Sequence, residues 1–162
     1  MSKSAHQGLA KYKFCKEKFN QGKQPDTKKG SPGTWATDMT KTDRTGYADV
    51  FMLHARVYVL ADTYAIQELQ EFCLRRIRIS LLYVTPNPEL LEAFHDLIIY
   101  VLENTKASDD FRKLLFHFCI AHIDWIKSSG FLQRLREELP DFLADLAVEI
   151  PLNLWACMGR IK

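Results

Sequence analysis

Apolar residues recur every three to four positions from Asp49 almost to the end of the chain, and no stretch alternates apolar with polar residues as a strand does. This spacing is typical of amphipathic helices that pack against one another. It predicts an all-α fold, an array of about six helices over residues 49–62, 66–82, 88–104, 109–127, 131–139 and 140–150.

Capping residues support several of these boundaries. Asn87 is suited to cap a helix whose first residue is Pro88, because proline has no backbone N–H to satisfy there. We expect Ser108 to cap the fourth helix and Gly130 to end it.

The same spacing predicts which residues of each helix face the core. In the first helix they are Val50, Leu53, Val57, Leu60 and Ala61. In the second helix they are Ile66, Leu69, Phe72, Cys73 and Ile77. In the third helix they are Leu91, Phe94, Leu97 or Ile98, and Val101. In the fourth helix they are Phe111, Leu114, Leu115, Phe118, Ala121 and Trp125.

Charge and composition divide the chain into three segments. Residues 1–46 hold ten Lys and Arg against four Asp and Glu, a net charge of +6, whereas residues 47–162 hold 12 against 16, a net charge of −4. The first stretch is rich in Gly, Pro and Thr and buries too little apolar area to offset its ordering entropy. We predict a basic, largely flexible leader over 1–48 with a short helix at 9–19, a helical domain over 49–150 and a short apolar tail over 151–162.

The four cysteines and the absence of targeting segments indicate the compartment. None of the cysteines forms a C-x-x-C pair, so we interpret them as reduced thiols of a cytoplasmic or nuclear protein. The sequence has neither a signal peptide nor an apolar run of about 18 residues, and we expect no membrane association.

The sequence shows no motif of an enzyme or a cofactor site. The phosphate-binding loop, the dinucleotide-binding fingerprint and the zinc-protease motif are absent. His117, Cys119 and His122 lie on one predicted helix, but no further pair of residues completes a tetrahedral metal site. We interpret Cys119 as a core residue and the histidines as core-edge residues, and we expect no catalytic residue, no cofactor and no metal.

The basic leader suggests an alternative function. Its lysines are interleaved with Tyr12, Phe14 and Phe19, a composition that nucleic-acid-binding segments share. The acidic remainder of the chain would repel a polyanion. A nucleic-acid-associated helical protein that uses residues 1–46 is therefore the alternative and not the main hypothesis.

The first two predicted helices contain a stretch that resembles a signature of many fungal BTB/POZ proteins, roughly H-A-x-V-Y-x-L-A-D-K-Y-x-I-x-x-L. Thr63 stands where lysine is usual in that signature. The matching residues are His54, Ala55, Val57, Tyr58, Leu60, Ala61, Asp62, Tyr64, Ile66 and Leu69. Residues 97–105 (LIIYVLENT), 111–115 (FRKLL) and 130–146 are similar to later segments of the same family.

The resemblance covers residues 49–150 and implies both a fold and a function. It implies the closing helix hairpin of a BTB/POZ domain, followed by a helical extension like a BACK or 3-box segment. It also implies a non-enzymatic protein–protein interaction module, an adaptor or scaffold. Some family members recruit substrates to cullin-3 ubiquitin ligases, so the implied partners are cullin-3 or a second copy of the chain.

The chain departs from the family upstream of this hairpin. A complete BTB/POZ domain has a sheet there, and residues 1–48 are too few and too polar to form it. We expect this sheet, its dimerisation surface and part of the cullin contact to be absent, as in a truncated product, an isoform, a partial gene model or a fragment without function. The uncovered helix face should then cause self-association or marginal stability.

The residues that contact a partner cannot be assigned from the sequence. Buried aromatic side chains dominate most interfaces. The aromatic candidates, each of which suits a core position better, are Tyr83, Phe94, Tyr100, Trp125 and Trp155.

Overall fold

The structure of the protein is a computed structural model that describes residues 12–19, 46–84 and 87–158. Every regular element in these ranges is helical, which confirms the predicted all-α fold. The elements are a π-helical turn (Cys15–Phe19), α1 (Tyr47–Thr63), α2 (Gln67–Tyr83), α3 (Pro88–Asn104), α4 (Asp110–Ala121), α5 (Ile123–Ser128), α6 (Phe131–Glu138), α7 (Pro140–Glu149) and α8 (Leu152–Met158).

The described residues form two compact units that divide within α4. The hairpin unit comprises residues 46–84 and 87–114, and the C-terminal unit comprises residues 12–19 and 115–158. This division does not test the predicted segment boundaries near residues 48 and 150, which stay predictions. Most of the predicted leader, residues 1–11 and 20–45, lies outside the described residues.

In the hairpin unit, α1 packs against α2 and α3. The helix α3 begins as predicted, because the Asn87 side chain accepts a hydrogen bond from the backbone N–H of Leu90 at 2.8 Å and Pro88 is the first helical residue. Its predicted core face is also confirmed. The buried residues on that face are Leu91, Phe94, Leu97, Ile98 and Val101.

A tight turn at Tyr64 and Ala65 joins α1 to α2. The backbone N–H of Ile66 donates to the Ala61 carbonyl at 2.8 Å, and that of Ala65 donates to the Asp62 carbonyl at 3.1 Å. These two bonds define a Schellman motif, which satisfies carbonyl groups at the end of α1. Ala65 has a φ of 53°, the left-handed conformation that this motif requires and that glycine adopts at lower cost.

The predicted inward face of α1 is wrong. The residues that α1 buries are Tyr47, Phe51, Ala55, Tyr58 and Ala61. Of the predicted set only Ala61 is buried, whereas Leu53 and Leu60 are exposed. The physical reason is that α1 is apolar on two faces, and the face with the aromatic side chains of Phe51 and Tyr58 buries more area when it packs inward.

The inward face of α2 is confirmed in part. Cys73 and Ile77 are buried as predicted, whereas Ile66 and Phe72 are exposed. Ile66 belongs to the turn that precedes α2, and Phe72 lies about 100° around the helix from Cys73. The buried face of α2 therefore starts later and is narrower than the apolar spacing suggests.

The predicted fourth helix, residues 109–127, consists of α4 and α5. Helical hydrogen bonding continues through the break at His122. The backbone N–H of His122 donates to the carbonyl of Phe118, and the carbonyl of His122 accepts from the backbone N–H of Ile126.

The predicted cap of α4 is wrong. The Asp109 carboxylate, and not Ser108, accepts a hydrogen bond from the backbone N–H of Phe111 at 2.8 Å. A carboxylate at this position also interacts favourably with the helix dipole.

In the C-terminal unit, α6 packs against both α5 and α7. Gly130 separates α5 from α6 with a φ of 78°, a left-handed conformation in which glycine avoids the cost of a side chain. The rings of Phe116 and Phe142 pack against each other with their planes tilted by 38° and their centroids 4.9 Å apart. The helix α8 lies in the predicted apolar tail.

Candidate interaction surface

A row of exposed apolar side chains follows one face of α1. Its members recur at intervals of three and four residues, which places them on one side of the helix. Leu53, Leu60 and Tyr64 are 61%, 53% and 69% exposed. Val50, which precedes Leu53, and Val57, which lies between the two leucines, are half-buried. We call this row the α1 stripe: Val50, Leu53, Val57, Leu60 and Tyr64.

Three more large apolar side chains of the hairpin are exposed: Ile66 in the turn, and Phe72 and Leu82 on α2. The guanidinium of Arg76 lies 5.1 Å from the centre of the Phe72 ring, in the geometry of a cation–π contact. This contact holds the Phe72 ring on the surface of α2 without burying it.

The opposite face of α1 is fixed to the start of α4. The hydroxyl of Tyr58 donates a hydrogen bond to Asp109 at 3.0 Å, and the rings of Tyr58 and Phe111 meet edge to face with centroids 5.0 Å apart. Asp109 therefore caps α4 and holds Tyr58 with the same carboxylate oxygen. The α1 stripe is thus presented on a helix whose other side is anchored by packing and by hydrogen bonds.

Arg112 fastens the end of α3 to α4 within the same unit. Its guanidinium donates to the carbonyl of Leu102 at 2.8 Å, to the hydroxyl of Thr105 at 3.0 Å and to the carbonyl of Thr105. These acceptors include carbonyls that the end of α3 leaves without helical partners. The contact stabilises the junction on which α1 packs.

A polar cleft of about 390 Å³ lies beside Tyr58. Two of its carboxylates are held by side-chain amides, since Gln70 donates to Asp62 and Gln67 donates to Glu71, each at 3.0 Å. Within the described ranges, no three His, Cys, Asp or Glu side chains are grouped so that they could hold a metal ion. The cleft is an acidic surface feature of the hairpin unit.

The residues of the BTB/POZ-like signature divide between the two faces of α1 and the turn. Its buried members are Ala55, Tyr58 and Ala61, and its half-buried members are His54, Val57 and Leu69. Its exposed members are Leu60, Asp62, Tyr64 and Ile66. The signature therefore contains both the packing contacts of α1 and much of its exposed apolar surface.

The three residues considered for a metal site take part in ring contacts or lie in the core. His117 meets Phe14 edge to face at 5.7 Å, and His122 lies against Phe118 at 4.7 Å. Cys119 is fully buried, and burial raises the pKa of its thiol. A buried, protonated thiol is a poor ligand and a poor nucleophile.

The aromatic residues considered for partner contact differ in exposure. Phe94 is fully buried, and Tyr100 and Trp125 are half-buried. Trp155 on α8 is 45% exposed, and the side chain of Tyr83 lies outside the described residues. Sequence reasoning missed the exposed residues of the α1 stripe, although their regular spacing was visible, because that spacing was assigned to the core.

In the described part of the basic leader, one of the two aromatic side chains that are described is exposed and the other is buried. Phe14 is buried, Tyr12 is exposed, and Lys13 forms an ion pair with Glu17 at 3.8 Å. The side chain of Phe19 and the remaining leader lysines except Lys16 lie outside the described residues. The nucleic-acid alternative therefore stays a prediction that rests on composition.

Comparisons with protein-family models, with curated proteins and with solved structures found no match to this chain. The BTB/POZ resemblance stays a prediction from the sequence motifs. Among the residues that the structure describes, every helix is too short or too polar to cross a membrane.

The alkaline stability of the protein should depend on Tyr58. Burial, and then the neighbouring carboxylate of Asp109, raise the pKa of Tyr58 above its ordinary value. A raised pKa in the folded state stabilises the protein fully below the unfolded-state pKa of about 10, and this stabilisation is lost as the pH rises further. We expect the free energy of unfolding of the wild type to fall more steeply above about pH 10 than that of Tyr58→Phe.

Urea unfolding at several pH values between about 8 and 11 measures this difference. The buried thiol of Cys119 contributes a similar loss to both proteins, so it cancels in the comparison. Parallel stability curves for wild type and Tyr58→Phe would contradict the expected role of Tyr58.

Proposed function

We propose that this chain is a non-enzymatic protein–protein interaction module, an adaptor or scaffold of the BTB/POZ type, which binds its partners through the α1–α2 hairpin. One observation carries the proposal: the hairpin exposes six large apolar side chains. They are Leu53, Leu60, Tyr64, Ile66, Phe72 and Leu82.

The arrangement of these side chains supports a binding surface. Single exposed apolar residues are ordinary on protein surfaces, whereas the largest contiguous apolar patch of a protein often serves as an interaction site. Tyr64 and Phe72 add aromatic rings, which supply a large share of interface energy. The Schellman turn and the Tyr58–Asp109 hydrogen bond fix the backbone of the hairpin, so a partner does not have to order that backbone when it binds.

The BTB/POZ-like signature suggests which class of protein binds the hairpin. It runs through α1, the turn and the start of α2, and its residues Leu60, Tyr64 and Ile66 contribute directly to the exposed surface. The family resemblance implies cullin-3 as a partner and a cytoplasmic or nuclear location. We include both in the proposal.

Calorimetric titration against the N-terminal domain of cullin-3, at a low and a moderate salt concentration, tests this function. We expect a dissociation constant on the order of 1–10 µM that changes little with salt, because an apolar helical surface carries few ionic contacts. Phe72→Glu should weaken binding by about tenfold or more, since it places a charge in the interface.

A matched control is Val148→Glu on α7, where the side chain is 84% exposed and lies outside the hairpin. This variant should bind cullin-3 like the wild type. Absence of binding by the folded wild type would contradict the cullin-3 assignment. An affinity that falls steeply with salt would instead favour contacts made by the basic leader.

A further inference from the structure

The α1 stripe has the residue pattern of a two-stranded coiled coil. Its five residues are separated by three, four, three and four positions, which is the spacing of alternate a and d positions in a heptad repeat. Val50 and Val57 fall at a positions, and Leu53 and Leu60 fall at d positions. Tyr64, the residue that caps the end of α1, takes the next a position in the spacing. Valine at a with leucine at d favours parallel pairs of helices.

The stripe lies on a helix that is already folded and anchored. Two heptads are too short to hold an isolated helix pair together, because their interaction energy would have to offset the cost of forming the helices. In this protein α1 is already formed, since its buried face with Phe51, Ala55 and Tyr58 packs within the hairpin unit. Association through the stripe would need to offset the loss of translational, rotational and side-chain freedom, but not the cost of forming the helices.

The exposed area suits a weak dimer. Given their exposed fractions, Leu53, Leu60 and Tyr64 with the two half-buried valines present on the order of 450 Å² of apolar surface. Two copies joined through this surface would bury about twice that area, and flanking side chains would bring the total to roughly 1,000–1,200 Å². This is the lower limit of specific interfaces, and it is consistent with a dissociation constant on the order of 10 µM.

The charged residues beside the stripe are compatible with a parallel pair. Asp49 and Arg56 occupy g positions, and His54 and Ala61 occupy e positions. In a parallel pair, g of one helix lies beside the following e of the other. Asp49 then lies beside His54 of the second copy, whereas Ala61, the e residue that follows Arg56, is buried within its own hairpin unit, so no like charges are opposed.

We infer that the α1 stripe binds a second copy of this chain, with the two α1 helices packed side by side in parallel. The inference rests on the proposed function, because it names the partner for one part of the hairpin. Phe72 and Leu82 on α2 do not belong to the stripe and stay accessible to another protein.

Sedimentation velocity of the full chain between about 1 and 200 µM tests the inference. We expect a reversible monomer–dimer equilibrium for the wild type. Leu60→Glu, at a central d position, should raise the dissociation constant at least about tenfold, since two carboxylates would face each other in the seam. At a protein concentration well below the dissociation constant of the dimer, its thermal unfolding should match that of the wild type, because Leu60 is 53% exposed in the monomer.

Val148→Glu serves again as the control, because it adds the same charge at an exposed apolar site outside α1. It should dimerise like the wild type. Val57→Cys tests the orientation: in a parallel pair equivalent a residues face each other, so mild oxidation should give a covalent dimer in addition to any formed by the native cysteines.

Each of three results would overturn the inference. A wild type that stays monomeric up to the highest concentration would exclude the dimer, and the titration with cullin-3 would still test the proposed function on its own. A dimer that survives Leu60→Glu would place the contact elsewhere. Failure of Val57→Cys to cross-link a dimer that Leu60→Glu disrupts would exclude the parallel arrangement.

Discussion

Phe111→Ala is expected to lower the free energy of unfolding by about 3–5 kcal/mol. Phe111 is fully buried near the start of α4, and its ring meets that of Tyr58 edge to face at 5.0 Å. The substitution removes the transfer energy of the ring and leaves a cavity between elements that are too well anchored to collapse completely. Because whole domains are stable by only about 5–15 kcal/mol, we expect a large fraction of the stability to be lost.

Urea unfolding followed by circular dichroism measures the effect. Phe72→Ala is the matched control, since it removes the same ring from a position that is 43% exposed. We expect it to cost less than about 1 kcal/mol. Similar losses in the two variants would show that Phe111 does not occupy the core position that the structure gives it.

Asp109→Ala is expected to destabilise the protein by about 2–4 kcal/mol. The substitution removes the cap of α4, and it leaves the buried hydroxyl of Tyr58 without the acceptor that lies 3.0 Å away. Loss of a cap costs about 1 kcal/mol, and an unsatisfied buried hydroxyl costs about 1–3 kcal/mol. Both losses arise from one oxygen atom, so the total depends on how far the neighbouring groups rearrange.

A double-mutant cycle separates these two contributions. Asp109→Asn keeps an acceptor oxygen in the same place and should recover most of the stability that alanine loses. In the Tyr58→Phe background, Asp109→Ala should cost only the cap, and the difference between the backgrounds is the energy of the Tyr58–Asp109 hydrogen bond. Equal costs in both backgrounds would mean that this hydrogen bond contributes nothing to stability.

The spacing of apolar residues predicts the buried face of a helix when only one of its faces is apolar. In α3 the apolar residues define one dominant face, so their spacing alone identified Phe94 and Val101 as core residues, which the structure bears out. In α1 the spacing fits two faces equally well. Packing against α2 and α3 selects the face with Phe51 and Tyr58, whose aromatic rings bury more area, and the spacing of apolar residues does not take side-chain size into account.

The role of Asp109 could be predicted only in part. Ser108 and Asp109 are both suitable caps, and the choice between them decides where α4 begins. The contact with Tyr58 joins residues 51 positions apart, so the sequence gives no local signal for it. The candidate surface was missed for a related reason: an apolar residue that binds a partner and one that fills a core have the same hydrophobicity.

The turn between α1 and α2 depends on the packing of the two helices. Ala65 adopts a left-handed conformation that costs a residue with a side chain roughly 1–2 kcal/mol, so the local sequence does not favour the turn. The contacts between α1 and α2 offset this cost. The hairpin thus differs from a β-hairpin whose Asn-Gly turn itself favours the chain reversal.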